Sequence, residues 1–152
     1  MKILIATSFL LCCLAAKAQN ADRILGHYLT QDGDSQVTIS KKTDGKYYGK
    51  IVWLKNPYRE NGSIKLDDEN PDEKLQKRTI MGLELLSGFG YDADDQEWEN
   101  GTIYDPKSGS TYKCYMWFDK NNENVLNVKG YIGFSLIGRS VTWTREAELR
   151  KN

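Results

Sequence analysis

Four acids crowd together at Asp67, Asp68, Glu69 and Asp72, and as a group they have the most chemical potential in this sequence. Two carboxyls flanking one glycosidic bond can divide acid and base work on a sugar. The same groups can equally solubilise a loop or cap a turn. A second group, Asp92, Asp94, Asp95 and Glu97, resembles a calcium loop only superficially. It lacks the central glycine and the closing bidentate glutamate of an EF-hand, so it reads as a solvated turn. His27 is the sole histidine and has no cysteine ligand set beside it, which argues against a zinc centre or a Ser-His triad. Cys114 alternates with Tyr112, Met116 and Phe118, a row suited to core packing. No local base or cation would activate it as a nucleophile. Neither a metal nor a cofactor is expected.

Aromatic residues are the other resource: Trp53, Trp98, Trp117, Trp143 and nine tyrosines. Such rings suit sugars, lipids or flat ligands, although in a short chain most must be core. With a side-chain period of two, Tyr47 and Trp53 should share one strand face, and Tyr115 and Trp117 another. The candidate ligand contacts are Trp53, Tyr104 and Trp143 among the aromatics, Asp67 and Asn70 in a long connection, and Arg139 as a charged anchor.

The elements that must position these groups are short alternating runs. Strands are expected at Leu25–Thr30, Gln36–Lys41, Tyr47–Leu54, Leu83–Phe89, Trp98–Tyr104, Tyr112–Phe118, Val125–Ile132 and Ser140–Arg145. Asp44-Gly45 is a tight hairpin signal. Residues 55–78 break the rhythm with a long polar connection, a length usually tied to function or mobility. Inside it, Asn70 suits an N-cap, Pro71 the first helical position and Glu73 the closing place of a capping box, so one short helical turn is expected. Eight strands with almost no helix argue for a closed meander barrel or a sandwich. Apolar residues on both faces of several strands favour the barrel. So do Gly49, Gly88, Gly101 and Gly130, placed where a small barrel must bend sharply.

The N-terminus carries an address. Met1-Lys2, the apolar run Ile3 to Ala16, and Ala16-Lys17-Ala18 before Gln19 have the three-part layout of a secretory signal. Residues 1–18 are therefore expected to be removed, leaving one domain at 19–152, periplasmic or secreted. A permanent membrane helix would need about 20 apolar residues. A lipid anchor at Cys12 or Cys13 would want a small residue before the cysteine, where Leu11 and Cys12 stand. Lys2 and Lys17 leave with the signal, so nineteen basic residues face twenty-one acidic ones. That balance excludes a basic nucleic-acid footprint. No later stretch is apolar enough to span a membrane as a helix. Only Cys114 remains, so no internal disulfide can form.

Three stretches, Gly49-Lys50-Ile51-Val52-Trp53-Leu54, Leu66-Asp67 to Asn70-Pro71-Asp72, and Gly101-Thr102-Ile103-Tyr104-Asp105-Pro106 with Gly109 and Thr111-Tyr112, together resemble the DUF2147 family of uncharacterised bacterial envelope proteins. Gly130 to Phe134, Gly138-Arg139 and Thr142-Trp143-Thr144-Arg145 complete the likeness over essentially the whole mature chain. The resemblance implies a lipocalin-like small barrel, export to the periplasm and no established activity. Where the family opens on Gly-x-Trp, this chain has Gly26-His27-Tyr28. The resemblance implies that Tyr28 packs on Arg145 or Arg139 to close the barrel base.

The leading expectation is a binding or accessory module holding a small apolar or amphipathic ligand at the open end, with 55–78 as lid or rim. Two alternatives stand beside it. One is an envelope-remodelling hydrolase using loop carboxylates. The other is a structural barrel whose interior is filled with side chains.

Overall fold

The computed structural model describes residues 20–133 and 137–151. The signal-like segment 1–18 lies outside the described residues. Eight antiparallel strands follow one another: β1 (Gly26–Leu29), β2 (Ser35–Lys41), β3 (Tyr47–Leu54), β4 (Glu84–Asp92), β5 (Glu97–Asp105), β6 (Ser110–Asp119), β7 (Asn122–Tyr131) and β8 (Gly138–Glu146). Each is hydrogen-bonded to the next and β8 returns to β1, so the sheet is a closed barrel without a free edge. The Asp44-Gly45 hairpin forms as its residues require, with Gly45 at φ 78° and Asp44 Oδ1 accepting from the Lys46 amide.

Register fixes which side chains point inward, because residues facing one another across strands share a face. From β6 the inward row Tyr112, Cys114, Met116 and Phe118 meets Gly130, Val128 and Leu126 of β7, and these meet Arg139, Val141 and Trp143 of β8. On the other side Tyr28 faces Val37, Val37 faces Ile51, and Gly49 faces Leu86. The half of the barrel nearer the chain's N-terminus is packed solid with Tyr28, Tyr47, Phe89, Trp98, Phe118 and their neighbours. Two glycines make that packing possible. A Cβ on Gly101 would lie 2.5 Å from the Phe89 ring, and one on Gly49 would lie 2.7 Å from Leu86.

The filled end is sealed by the segment before β1. A short 3-10 turn, Asp22–Ile24, buries Ile24 completely. Trp98 Nε1 donates to Ala21 O at 3.0 Å and the Tyr28 hydroxyl to Ile24 O at 2.9 Å. Tyr28 and Arg145 are register partners, with the guanidinium 4.9 Å from the ring centroid. Arg145 also donates to Leu25 O and Arg23 O, so one cation stacks on an aromatic and satisfies two carbonyls where the chain ends meet. Of the two arginines expected at the base, Arg145 takes the role. Arg139 lies four register pairs from Trp143, toward the opposite end.

Two expectations are corrected. Gln36 pairs with Trp53 while Val37 pairs with Ile51, so Val52 is the extra residue of a bulge. The bulge breaks the period of two, and Trp53 does not join Tyr47 in the core. It packs against the C-terminal tail instead, donating Nε1 to Lys151 O and lying under the Arg150 guanidinium at 4.9 Å. The turn after Asn70 is not a helix. It is a succession of i→i+3 turns, with Leu75 donating to Asp72 and Arg78 to Leu75. Asn70 does cap it, its Oδ1 accepting from the Asp72 amide at 2.9 Å. Glu73 closes no box, because the Asn70 amide is already given to Asp67 O.

Candidate functional site

The other half of the barrel is open. A cavity of about 960 Å³ runs from the packed floor to the far rim. Its deep walls are apolar: Ile51 from β3, Leu85 from β4, Ile103 from β5, Val128 from β7, and Val141 and Trp143 from β8. Leu66 and Ile80 of the long connection add an apolar side wall. The rim is charged, with Asp32, Asp34, Arg59, Lys65, Lys107 and Arg139 among its residues. A pocket of this size with apolar walls and a polar mouth is the form of a small-molecule site.

The long connection between Leu54 and Glu84 borders this mouth. It has no strand of its own, only two bridges, Tyr58 with Ile64 and Leu66 with Thr79. It is nevertheless firmly held. The Asp67 side chain is wholly buried, and Tyr104 donates to its Oδ1 at 2.6 Å. Asn70 Nδ2 and Arg78 Nε each donate to its Oδ2 at 2.8 Å. Both oxygens are thus occupied by fixed donors, the arrangement that makes a buried carboxylate tolerable. Burial and then the bond to Asp67 push the Tyr104 hydroxyl above the ordinary phenol range. A second tie lies alongside. Gly109, at φ 68°, leaves its α-carbon bare where a Cβ would sit 1.8 Å from Glu69 O. Only glycine allows the connection to approach the β5–β6 turn that closely.

Tyr104, Arg139 and Trp143 line the cavity. Arg139 stands at the rim and Trp143 at depth, as alternate inward residues of one strand. Asp67 and Asn70 lie behind the wall in the knot just described, reaching the cavity only through Tyr104. Trp53 is outside the barrel, against the tail. Sequence patterning alone overlooked Arg78, the Gly109–Glu69 contact and the apolar wall residues Leu85, Ile103 and Val128. The last three were legible as strand residues, but nothing local marks which end of a barrel stays empty.

Electrostatics at the rim are largely internal. Arg59 pairs with Asp68, and Lys107 Nζ lies 3.2 Å from Asp34. Burial raises the Asp34 pKa, but bonds from Thr30, Ser35 and Lys107 outweigh it and hold the carboxyl below its ordinary value. Deeper in, burial pushes the Cys114 thiol up to about 12. Among the described residues no cluster of His, Cys, Asp and Glu has the grouping to hold a metal. Nor is any helix among them long and apolar enough to cross a membrane. Asp92 Oδ1 accepts from the Asp94 and Asp95 amides, so the second acidic group is a self-capped turn.

The family described as an uncharacterized protein conserved in bacteria (DUF2147) matches residues 26–145. Among solved structures, the chain is similar to protein HP1028 from the human pathogen Helicobacter pylori, which belongs to the lipocalin family. The TM-score is 0.68 at 24% identity, over 82% of this chain and 84% of that one. At that identity the likeness shows the fold, a lipocalin-like barrel. No curated protein matches the chain.

Proposed function

The chain belongs to the DUF2147 family of bacterial proteins, and from that premise we propose that it is an exported binding protein for a small apolar or amphipathic ligand. The observation that carries this reading is the half-filled barrel. One end is closed by a buried apolar cluster, and the other holds an apolar-walled cavity of about 960 Å³ with a polar mouth, the form a small-molecule site takes. The ligand's apolar part would lie against Ile103, Val128, Val141 and Trp143, and its polar part would reach the rim near Arg139. Burying a chain of methylenes there contributes about 0.8 kcal/mol for each. The 55–83 connection acts as a fixed side wall, since the Asp67 knot ties it to β5.

The cavity supports this reading over a barrel filled throughout. The loop-carboxylate alternative is weakened because Asp67 has both oxygens engaged and Asp68 is paired with Arg59. For location we propose the periplasm or the exterior, on the strength of the signal-like Met1–Ala18 segment. Native mass spectrometry of protein extracted from its own envelope fraction tests both parts. The expected result is a mature chain beginning at Gln19 with a co-purifying small molecule. A chain retaining Met1, with an empty barrel after gentle extraction, would contradict the proposal.

A further inference from the structure

The two short turns at the open end are joined across it by their side chains. In a ring of eight strands in chain order, the β1–β2 turn (residues 30–34) and the β5–β6 turn (residues 106–109) stand on opposite sides of the mouth. Yet Lys107 Nζ lies 3.2 Å from Asp34 Oδ2, and both residues line the cavity. The backbones that carry them are fixed. Asp34 Oδ1 sits 3.0 Å from the Thr30 and Ser35 hydroxyls, and the Lys55 amide donates to Asp34 O at 2.8 Å. On the far side, Asp105 Oδ1 accepts from the Lys107 amide at 2.9 Å, and Gly109 lies against the Glu69 carbonyl. The flexible part of the bridge is therefore the Lys107 side chain, a long stem ending in a point charge.

A brace and a latch differ in what they need from such a pair. The Lys107 side chain is 76% exposed and that of Asp34 43%, so this is a surface ion pair, screened by salt and worth little to the fold. An interaction of that size favours the closed form over the open one by about fivefold at most, so it breaks and re-forms readily. Position rather than strength gives it a consequence, because the closed pair lies across the way to the apolar walls. We propose that the Lys107–Asp34 pair is a latch over the cavity mouth, which sets how fast small molecules pass without setting how tightly they are held. It closes over empty and occupied barrels alike, so entry and exit slow by the same factor. The latch rests on the reading of this cavity as a site entered from its charged rim, and it requires no resident ligand.

A thiol placed behind the latch tests it without any ligand. Val141→Cys puts one on the cavity wall, where N-phenylmaleimide, a neutral and bulky reagent, must pass the mouth to reach it. Cys114 is buried and remains as a slow background. Adding Lys107→Ala to Val141→Cys should speed labelling by about two- to fivefold, whereas Lys107→Arg, which keeps the charge, should leave it slow. High salt should speed the Val141→Cys chain to a similar degree and leave the Lys107→Ala form unchanged. Losing a nearby cation raises a thiol pKa and slows its reaction, so electrostatics alone would move the rate the other way. Leu25→Cys, exposed at the sealed end, should label at one rate in every background. Equal labelling of Val141→Cys with and without Lys107 would overturn the proposal, as would acceleration by arginine as large as by alanine. A salt effect that persists in Lys107→Ala would overturn it too. If Val141→Cys fails to label even in Lys107→Ala, the mouth is not open, and the latch and the binding reading fall together. Latched labelling in a chain that binds no lipophilic fluorophore would support the latch and contradict the binding reading alone.

Discussion

Replacing Asp67 with alanine should detach the long connection from the barrel. The carboxylate is fully buried and accepts from Tyr104 at 2.6 Å, and from Asn70 and Arg78 at 2.8 Å each. A hydrogen bond to a charged group contributes about 1.5–3 kcal/mol, and losing one partner leaves the other unsatisfied. Arg78 is 39% exposed and can regain water, so its share is discounted to that of a surface pair, below about 1 kcal/mol. Tyr104 and Asn70 then dominate, and Asp67→Ala should cost about 3–4 kcal/mol. For a domain of this size that lowers Tm by roughly 10 °C. Asp67→Asn keeps the shape and loses the charge assistance, and should cost about half as much. Urea unfolding followed by tryptophan fluorescence reads both variants, with an unchanged m-value as the check that the same transition is observed. An Asp67→Ala cost below about 1 kcal/mol would refute the reasoning, because the buried acceptor could then not be what holds the connection.

Arg145→Lys should cost about 2 kcal/mol in the same unfolding assay, because lysine cannot stack on Tyr28 while donating to two carbonyls; a neutral result would mean the sealed end does not depend on this residue. Cys114, with its thiol raised to about 12 by burial, should alkylate under native conditions about a thousandfold slower than a free thiol at pH 8, and rapid labelling would contradict its inward placement. Stability should hold through neutral pH and fall below about pH 4. Arg150, with Gln36 in support, holds the Glu146 carboxyl below its ordinary value, and Asp34 is lowered likewise by its hydrogen bonds. A lowered folded-state pKa stabilises above the unfolded value, and that contribution is lost as pH falls through the folded one. Glu146→Gln should therefore flatten the acid limb, and an unaltered acid limb would remove Glu146 from the account.

Much of the barrel was legible because strands announce themselves locally. Every expected run from Leu25 to Arg145 overlaps a strand, since period-two alternation and turn residues act over a few neighbours. Closure through Tyr28 and Arg145 was open to inference because a meander must bring its ends together. Trp53 was misplaced for a physical reason: a bulge is one inserted residue, invisible to a periodic reading, yet it turns every later side chain over. The helical turn at Pro71 failed differently. Its cap is real, but Gln76 donates to Asn70 O and Asn70 gives its own amide to Asp67, so tertiary ties replaced the helical ladder. In the candidate site, Tyr104, Arg139 and Trp143 came from strand position and residue type. Arg78 and the Gly109–Glu69 contact depend on distant segments meeting, for which the sequence carries no local signal.

The central claim is that the open half of the barrel is an apolar ligand cavity, and filling it is the direct test. Val141 is a mid-wall residue facing Val128 across β7 and β8. A tryptophan in its place should occupy the space between them without exposing new apolar surface at the rim. Titration of the delipidated wild-type chain with a lipophilic naphthalene fluorophore should give saturable one-to-one binding, with tryptophan emission quenched through Trp143. Val141→Trp should lose that binding by about tenfold or more, while its Tm stays near the wild-type value. Equal binding by the filled variant, or no saturable binding by the wild type, would contradict the account.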